Sequence, residues 1–192
     1  MTRATILAEA RAIFARRGYA ETSLREIAEA VGIKTPSLYA HFPSKEALYA
    51  EVYASVSIDH TAYFDDLARR AAELEPLARL HHLLSGIEAY YRDRPELAEF
   101  SLRAAVSEYG PGGEQLRQIF LDSESTLAAA VRQTYEDGAA TGVFAPDDAD
   151  GFTALVFVVM DGLFLQLTHY TPEIYRERFD QAWRHLSTVL SR

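Results

Sequence analysis

Lys34, Thr35, Ser37, Tyr39 and His41 crowd into eight residues, and Lys45 follows four positions later. Together they offer two ammonium groups, two hydroxyls, a phenol and an imidazole. That set suits phosphate oxygens and base edges better than bond-making chemistry. Thr35-Pro36 marks a helix start, with Thr35 as N-cap and Pro36 at the first helical position, where its missing N–H costs nothing. On so short a helix Leu38 and Phe42 face inward, and Lys34, Thr35, Ser37, Tyr39 and His41 face out. Pro43-Ser44 then caps a long helix that places Lys45 in its first turn. The macrodipole there disfavours a cation by about 0.3–1 kcal/mol. A DNA phosphate at that helix end would reverse the sign; the alternative is a solvated lysine beside Glu46.

No catalytic constellation appears elsewhere. The chain lacks Gly-x-Ser-x-Gly, His-Glu-x-x-His, Gly-x-x-x-x-Gly-Lys and the dinucleotide fingerprint. It has no cysteine, which removes disulfides, thiol catalysis and Cys-ligated metals. His60, His81, His82, Asp161, Gln166 and His169 are the polar candidates in the body. His81 and His82 are adjacent and would diverge on a helix, so they make a poor metal pair. The expectation is a protein without catalytic function, metal or cofactor.

The elements that must hold these residues are all helical. Ile6, Leu7, Ala10, Ile13 and Phe14 form one apolar face of a helix that Gly18 closes. Ser23 caps a short second helix, and Glu26 has the spacing to complete a capping box. Gly32-Ile33-Lys34 turns the chain into the short helix above. Helix, turn and helix in this order form a helix-turn-helix, whose second helix fits the major groove. Further helices are expected from Lys45 to about Ala72, Pro76 to about Arg92 and Pro95 to about Tyr109. Beyond a break at Gly110-Pro111-Gly112-Gly113, others run from Glu114 to about Ala140, then within Gly151–Thr171, and from Pro172 to about Leu190. The fold class is all-α, with about nine helices.

Charge divides the same way. The 192 residues carry 19 Lys+Arg against 28 Asp+Glu, a net −9 that argues against a general nucleic-acid binder. Residues 1–50 nevertheless hold seven basic against five acidic residues, a local +2, and residues 51–192 hold −11. An acidic body should be repelled by non-specific DNA, leaving the head to bind where specific contacts add up. No apolar signal segment precedes Glu9 and Arg11. Asp161 interrupts the most apolar stretch, so neither half approaches the ~20 residues of a membrane span. A cytoplasmic protein with no membrane partner is expected.

Several stretches in the first quarter of the chain carry a resemblance. They are Ile6-Leu7, Ala10, Ile13-Phe14, Gly18-Tyr19, the run Thr22 to Ala28, Val31-Gly32-Ile33, Ser37-Leu38-Tyr39 and the run His41 to Leu48. Taken in order, they resemble the DNA-binding region of the TetR family of bacterial transcriptional regulators. The resemblance implies a homodimer that binds a palindromic double-stranded operator and is released, as a repressor, by a small-molecule effector. Carried over by position, Thr22, Arg25, Tyr39, His41 and Lys45 would contact phosphates, and Lys34, Thr35 and Ser37 would lie nearest the bases. Pro36 departs from the Gly or Ala of many members and removes a backbone donor, so no operator sequence is carried over. Residues 1–46 would be the DNA-binding domain and 47–192 the ligand-binding and dimerisation domain.

The body supplies apolar surface for both of its tasks. Phe152, Leu155, Val159 and Leu163 belong to a helix apolar all round, which a body this small cannot easily surround. With Phe179, Trp183 and Leu186 of the last helix they are the expected dimer interface, two helices from each chain. Tyr53, Tyr63, Tyr90, Phe100, Phe120 and Asp161 are the expected pocket, aromatic with one carboxylate. The competing reading is an all-α small-molecule-binding protein or enzyme whose head does not bind DNA.

Overall fold

A computed structural model describes residues 2–106, 113–145 and 148–191. Among them are nine α-helices and no strand. They are α1 (Arg3–Glu21), α2 (Leu24–Ala30), α3 (Thr35–Tyr39), α4 (Lys45–Ala71), α5 (Pro76–Tyr91), α6 (Pro95–Val106), α7 (Gly113–Ala140), α8 (Ala149–Leu167) and α9 (Pro172–Leu190). Tyr109, the Gly110-Pro111-Gly112 part of the expected break, and Pro146 lie outside the described residues.

Local chemistry sets most of these ends. The Thr2 hydroxyl accepts the Thr5 amide at the start of α1, and the Ser23 hydroxyl accepts the Glu26 amide at the start of α2. Ser44 does the same for Ala47, and the Asp148 carboxylate takes the Asp150 and Gly151 amides at the start of α8. Two expected caps differ. The Glu26 carboxylate accepts from Arg17 at 2.5 Å, so the charged partner wins over the neutral amide that a capping box would offer. Helix α3 begins one residue early, with Lys34 in extended backbone (ψ 145°) as its flanking residue and no side-chain cap. Gly18 bends α1 at φ 78°, ψ 171°, a conformation open essentially to glycine alone.

The chain divides into two compact units. The first holds residues 1–60 and 94–123, that is α1–α3, the start of α4, α6 and the start of α7. Ile6, Ala10, Ile13, Phe14, Ile27, Ala28, Leu38, Phe42, Leu48, Val52, Phe100 and Leu116 make its core. Helix α6 lies along α1, and the Arg103 guanidinium donates to the Ala15 carbonyl at 2.6 Å and the Arg16 carbonyl at 3.2 Å.

The second unit holds residues 61–93 and 124–192. Leu80, Leu83, Leu84, Ile87 and Tyr90 of α5, Val131 and Tyr135 of α7 and several side chains of α8 and α9 are buried in it, and α5 contacts α8. Helix α8 is not surrounded. Phe152, Val156, Met160 and Leu163, spaced as one helical face, are buried in the unit's own core, whereas Leu155, Val158 and Leu165 are 47%, 68% and 47% exposed. By length and composition alone this helix could cross a membrane. Its packing makes it instead a two-faced helix of the body.

Candidate nucleic-acid interface

The site is built from a turn and five residues of helix. Helix α2 ends in a Schellman motif: the Gly32 amide donates to the Glu29 carbonyl at 3.1 Å and the Ile33 amide to the Ala28 carbonyl at 2.9 Å. Gly32 takes φ 71°, the left-handed conformation the motif requires. The chain then enters α3, where Leu38 and, just beyond, Phe42 are fully buried in the first unit's core. Burying two large apolar side chains, about 1.5–3 kcal/mol each, holds an element too short to be stable by itself. It also decides what faces out.

Lys34, Ser37, Tyr39 and His41 are exposed, Tyr39 by 53%, and Thr35 is half-buried. The outward set expected for α3 is therefore presented together on one short element. Arg25 is also on the surface, its side chain 80% exposed and 3.6 Å from Glu29 one turn on. Such a pair contributes at most ~0.5 kcal/mol, so the guanidinium is available to another anion.

Two residues expected on that surface are engaged elsewhere. Thr22 is 2% exposed, and its hydroxyl donates to the Gly18 carbonyl at 2.7 Å. It closes the bend of α1. The Lys45 ammonium donates to the carbonyls of Tyr19 and Thr22 at 2.8 Å each and Ala20 at 3.3 Å, and sits 4.3 Å from the centroid of the Tyr19 ring. It therefore caps the C-terminal end of α1, where orphan carbonyls and the dipole both favour a cation. Phe14, Tyr19 and Tyr49 pack edge to face and stacked behind it. Burial pushes the Tyr49 hydroxyl up to about 12, helped by the neighbouring phenols of Tyr53 and Tyr19.

The expected pocket residues are divided between the two units. Tyr53, Phe100 and Phe120 belong to the first unit, where Phe100 is core, Tyr53 packs against the core and Phe120 is 46% exposed. Tyr63, Tyr90 and Asp161 belong to the second. There Tyr63 and Tyr90 stand 4.8 Å apart between Phe64 and Tyr91, and Tyr91 meets Phe164 of α8. Beside this aromatic run lies a polar cluster that the sequence did not flag. Glu88 accepts two bonds from Arg92 and lies 3.6 Å from Arg176, and these guanidinium groups hold its carboxyl below the usual range. The Tyr175 hydroxyl is buried without a hydrogen-bond partner, and burial pushes it far up, with the Glu88 charge adding to the shift.

Asp161 is exposed on α8, and packing around it raises its carboxyl above 3.8. Glu124 is raised by burial and by the Asp161 charge. Burial holds the His60 imidazole down at about 4 despite Asp59, so it is neutral at pH 7. No group of three His, Asp or Glu side chains among the described residues is arranged to hold a metal.

The expected dimer interface divides as well. Phe152, Leu163 and Phe179 are 8%, 6% and 9% exposed, filled by this chain's own core, so they cannot also face a partner. On α8, Phe152 and Leu163 share the buried face with Val156 and Met160, while Val158 and Leu165 lie across the helix and Leu155 sits at the edge between. Val159, Trp183 and Leu186 are half-buried, and the His81 ring sits edge-on to both Phe179 and Trp183.

An exposed short helix held over a glycine turn, with its partner helix capped on both sides, defines a helix-turn-helix protein. The sequence pattern of the bacterial regulatory proteins, tetR family, matches residues 6–52, and that of the BetI-type transcriptional repressor, C-terminal, matches residues 76–191. The chain belongs to the TetR family of helix-turn-helix transcriptional regulators. It is 29% identical over 150 residues to the regulator UidR of Escherichia coli (strain K12), covering 76% of this chain and 70% of UidR. It is 26% identical over 134 residues to YerO of Bacillus subtilis (strain 168), covering 66% of this chain and 44% of YerO. The chain spans less than half the length of the first curated relatives it matches. The crystal structure of AibR in complex with isovaleryl coenzyme A and operator DNA shares the fold, with a TM-score of 0.69 over 98% of this chain and 97% of AibR at 20% identity.

Proposed function

We propose that the chain is a homodimeric, cytoplasmic repressor that binds a palindromic duplex operator and leaves it when a small molecule binds the body. It acts without catalysis. The observation that carries this reading is the outward set of α3, anchored from beneath by Leu38 and Phe42. Lys34, Thr35 and Ser37 meet base edges, and Tyr39, His41 and Arg25 meet phosphates. Thr22 and Lys45 serve the same surface indirectly, by fixing the bend and end of α1. Residues 1–46 bind DNA, and residues 47–192 bind the effector and the second copy.

The exposed face of α8, with Leu155, Val158 and Leu165, meets its counterpart across the two-fold axis, and Trp183 and Leu186 flank it. The effector binds beside the aromatic run of Tyr63, Tyr90 and Tyr91, the type of lining that small-molecule sites favour. Ligand lowers DNA affinity only by binding more tightly to a body conformation whose two heads are wrongly spaced.

Selection from a random duplex library tests the reading. The expected product is an inverted repeat with half-site centres about 34–36 Å apart. Failure of any sequence to be enriched overturns it.

A further inference from the structure

Helix α3 has five residues, and its C-terminal end is held by a side chain from the far end of the head. The Arg3 guanidinium at the start of α1 points each of its nitrogens at a partner. Nη1 donates to the His41 carbonyl at 2.7 Å, Nε donates to Glu51 Oε2 at 3.1 Å, and Nη2 pairs with Glu51 Oε1 on α4. The plane lies over the buried Phe42 ring, with Cζ 4.3 Å from its centroid. The His41 carbonyl follows the last turn of α3, where acceptors lack helical partners and a cation is favoured. Arg3 and Glu51 are 47% and 42% exposed, so the pair adds little stability. What the fork supplies is geometry, since a bidentate guanidinium fixes distance and plane together.

We propose that Arg3, oriented by Glu51, is a positioning residue for DNA recognition: it sets where the C-terminal end of α3, with Tyr39 and His41, lies relative to α1 and α4. The proposal rests on the DNA-binding reading above. It also sets Arg3 apart from a phosphate contact, although it is a basic residue of the head. Positioning and simple charge make opposite demands on Glu51. If Arg3 acts by charge, removing an acid beside it strengthens DNA binding. If it acts by geometry, losing either partner weakens binding.

The test measures Arg3→Ala, Arg3→Lys and Glu51→Gln in the full chain, on the duplex selected by the wild type and on a random-sequence duplex. Each variant is expected to lose about fivefold to tenfold on the selected duplex and less than about twofold on the random one, with an unchanged salt slope. Opposite shifts for Arg3→Ala and Glu51→Gln overturn the proposal. So does full affinity in Arg3→Lys, or a salt slope shallower by about two in Arg3→Ala, about one for each copy in the dimer. Hydrogen exchange at the Leu38, His41 and Phe42 amides reads α3 without DNA. It should quicken by about fivefold or more in Arg3→Ala, and unchanged protection overturns the proposal. A wild type that selects no duplex overturns the DNA-binding reading instead, and exchange at these amides alone then decides whether Arg3 positions α3.

Discussion

Lys45 stands at the meeting of two helix ends with opposite electrostatic preferences. As the first residue of α4 it meets the positive end of that helix, yet its ammonium lies against three carbonyls at the negative end of α1. Hydrogen bonds to a charged donor outweigh a dipole penalty of about 0.3–1 kcal/mol, so the side chain turns to α1. Lys45→Ala is expected to cost about 1–2 kcal/mol and lower Tm by roughly 2–8 °C by calorimetry, with no change in the salt slope of DNA binding. A change confined to the slope would return Lys45 to the phosphate contacts. Asp161 behaves in the opposite sense. Its carboxyl is raised above 3.8 by the packing around it, so the folded state holds the proton more tightly than the unfolded state does. The associated stability is present below 3.8 and is lost as pH rises through the folded value. Asp161→Asn should therefore raise Tm at pH 7, and the gain should shrink toward nothing near pH 4.

At the scale of elements, close approach is what a small side chain permits. Gly138 on α7 lets the Phe144 ring lie against the helix; a Cβ there would come within 2.2 Å of the ring and displace it from its packing with Tyr135 and Phe152. The ring is buried and stiff, so Gly138→Ala is expected to destabilise by about 1–3 kcal/mol, read as a fall in the urea midpoint with an unchanged m-value. The elements themselves were legible where their signals are local. Ser23, Gly32, Pro76, Pro95 and Pro172 mark helix ends by chemistry within a few residues, and the helices begin or end there. Helix α8 was legible as a helix but not as two faces. Apolar residues on every side leave no stripe to read, so Phe152, Leu163 and Leu155 looked alike until neighbours separated them. The engaged cations were illegible for another reason. Lys45 meets Thr22 across 23 residues, Arg3 meets His41 across 38 and Arg103 meets Ala15 across 88, and no periodicity encodes such pairs.

At the scale of the whole molecule, apolar surface and charge each make a demand on assembly. Leu155 and Val158 are exposed side by side on α8 and touch little in their own chain, so Leu155→Arg with Val158→Arg should leave the Tm of the monomeric fold nearly unchanged while converting a dimer to a monomer in sedimentation. Charge then limits how the proposed dimer would hold DNA. Of the seven cations in residues 1–50, Arg3 is on Glu51, Arg17 on Glu26 and Arg25 near Glu29, Arg16 lies 4.0 Å from Glu96, and Lys45 is on carbonyls. Among the described residues Lys34 is in no ion pair and Arg25 holds Glu29 only loosely, which leaves these two for phosphates, whereas Arg11 is half-buried with its Nε closed to solvent. Two such cations per chain make four per dimer, and each phosphate they neutralise contributes about −0.9 to the slope of log affinity against log salt. The slope on the selected duplex is therefore expected to be no steeper than about −4. A slope near −8 would show that the surface pairs open onto phosphates and that the acidic body, at −11, does little to restrain them.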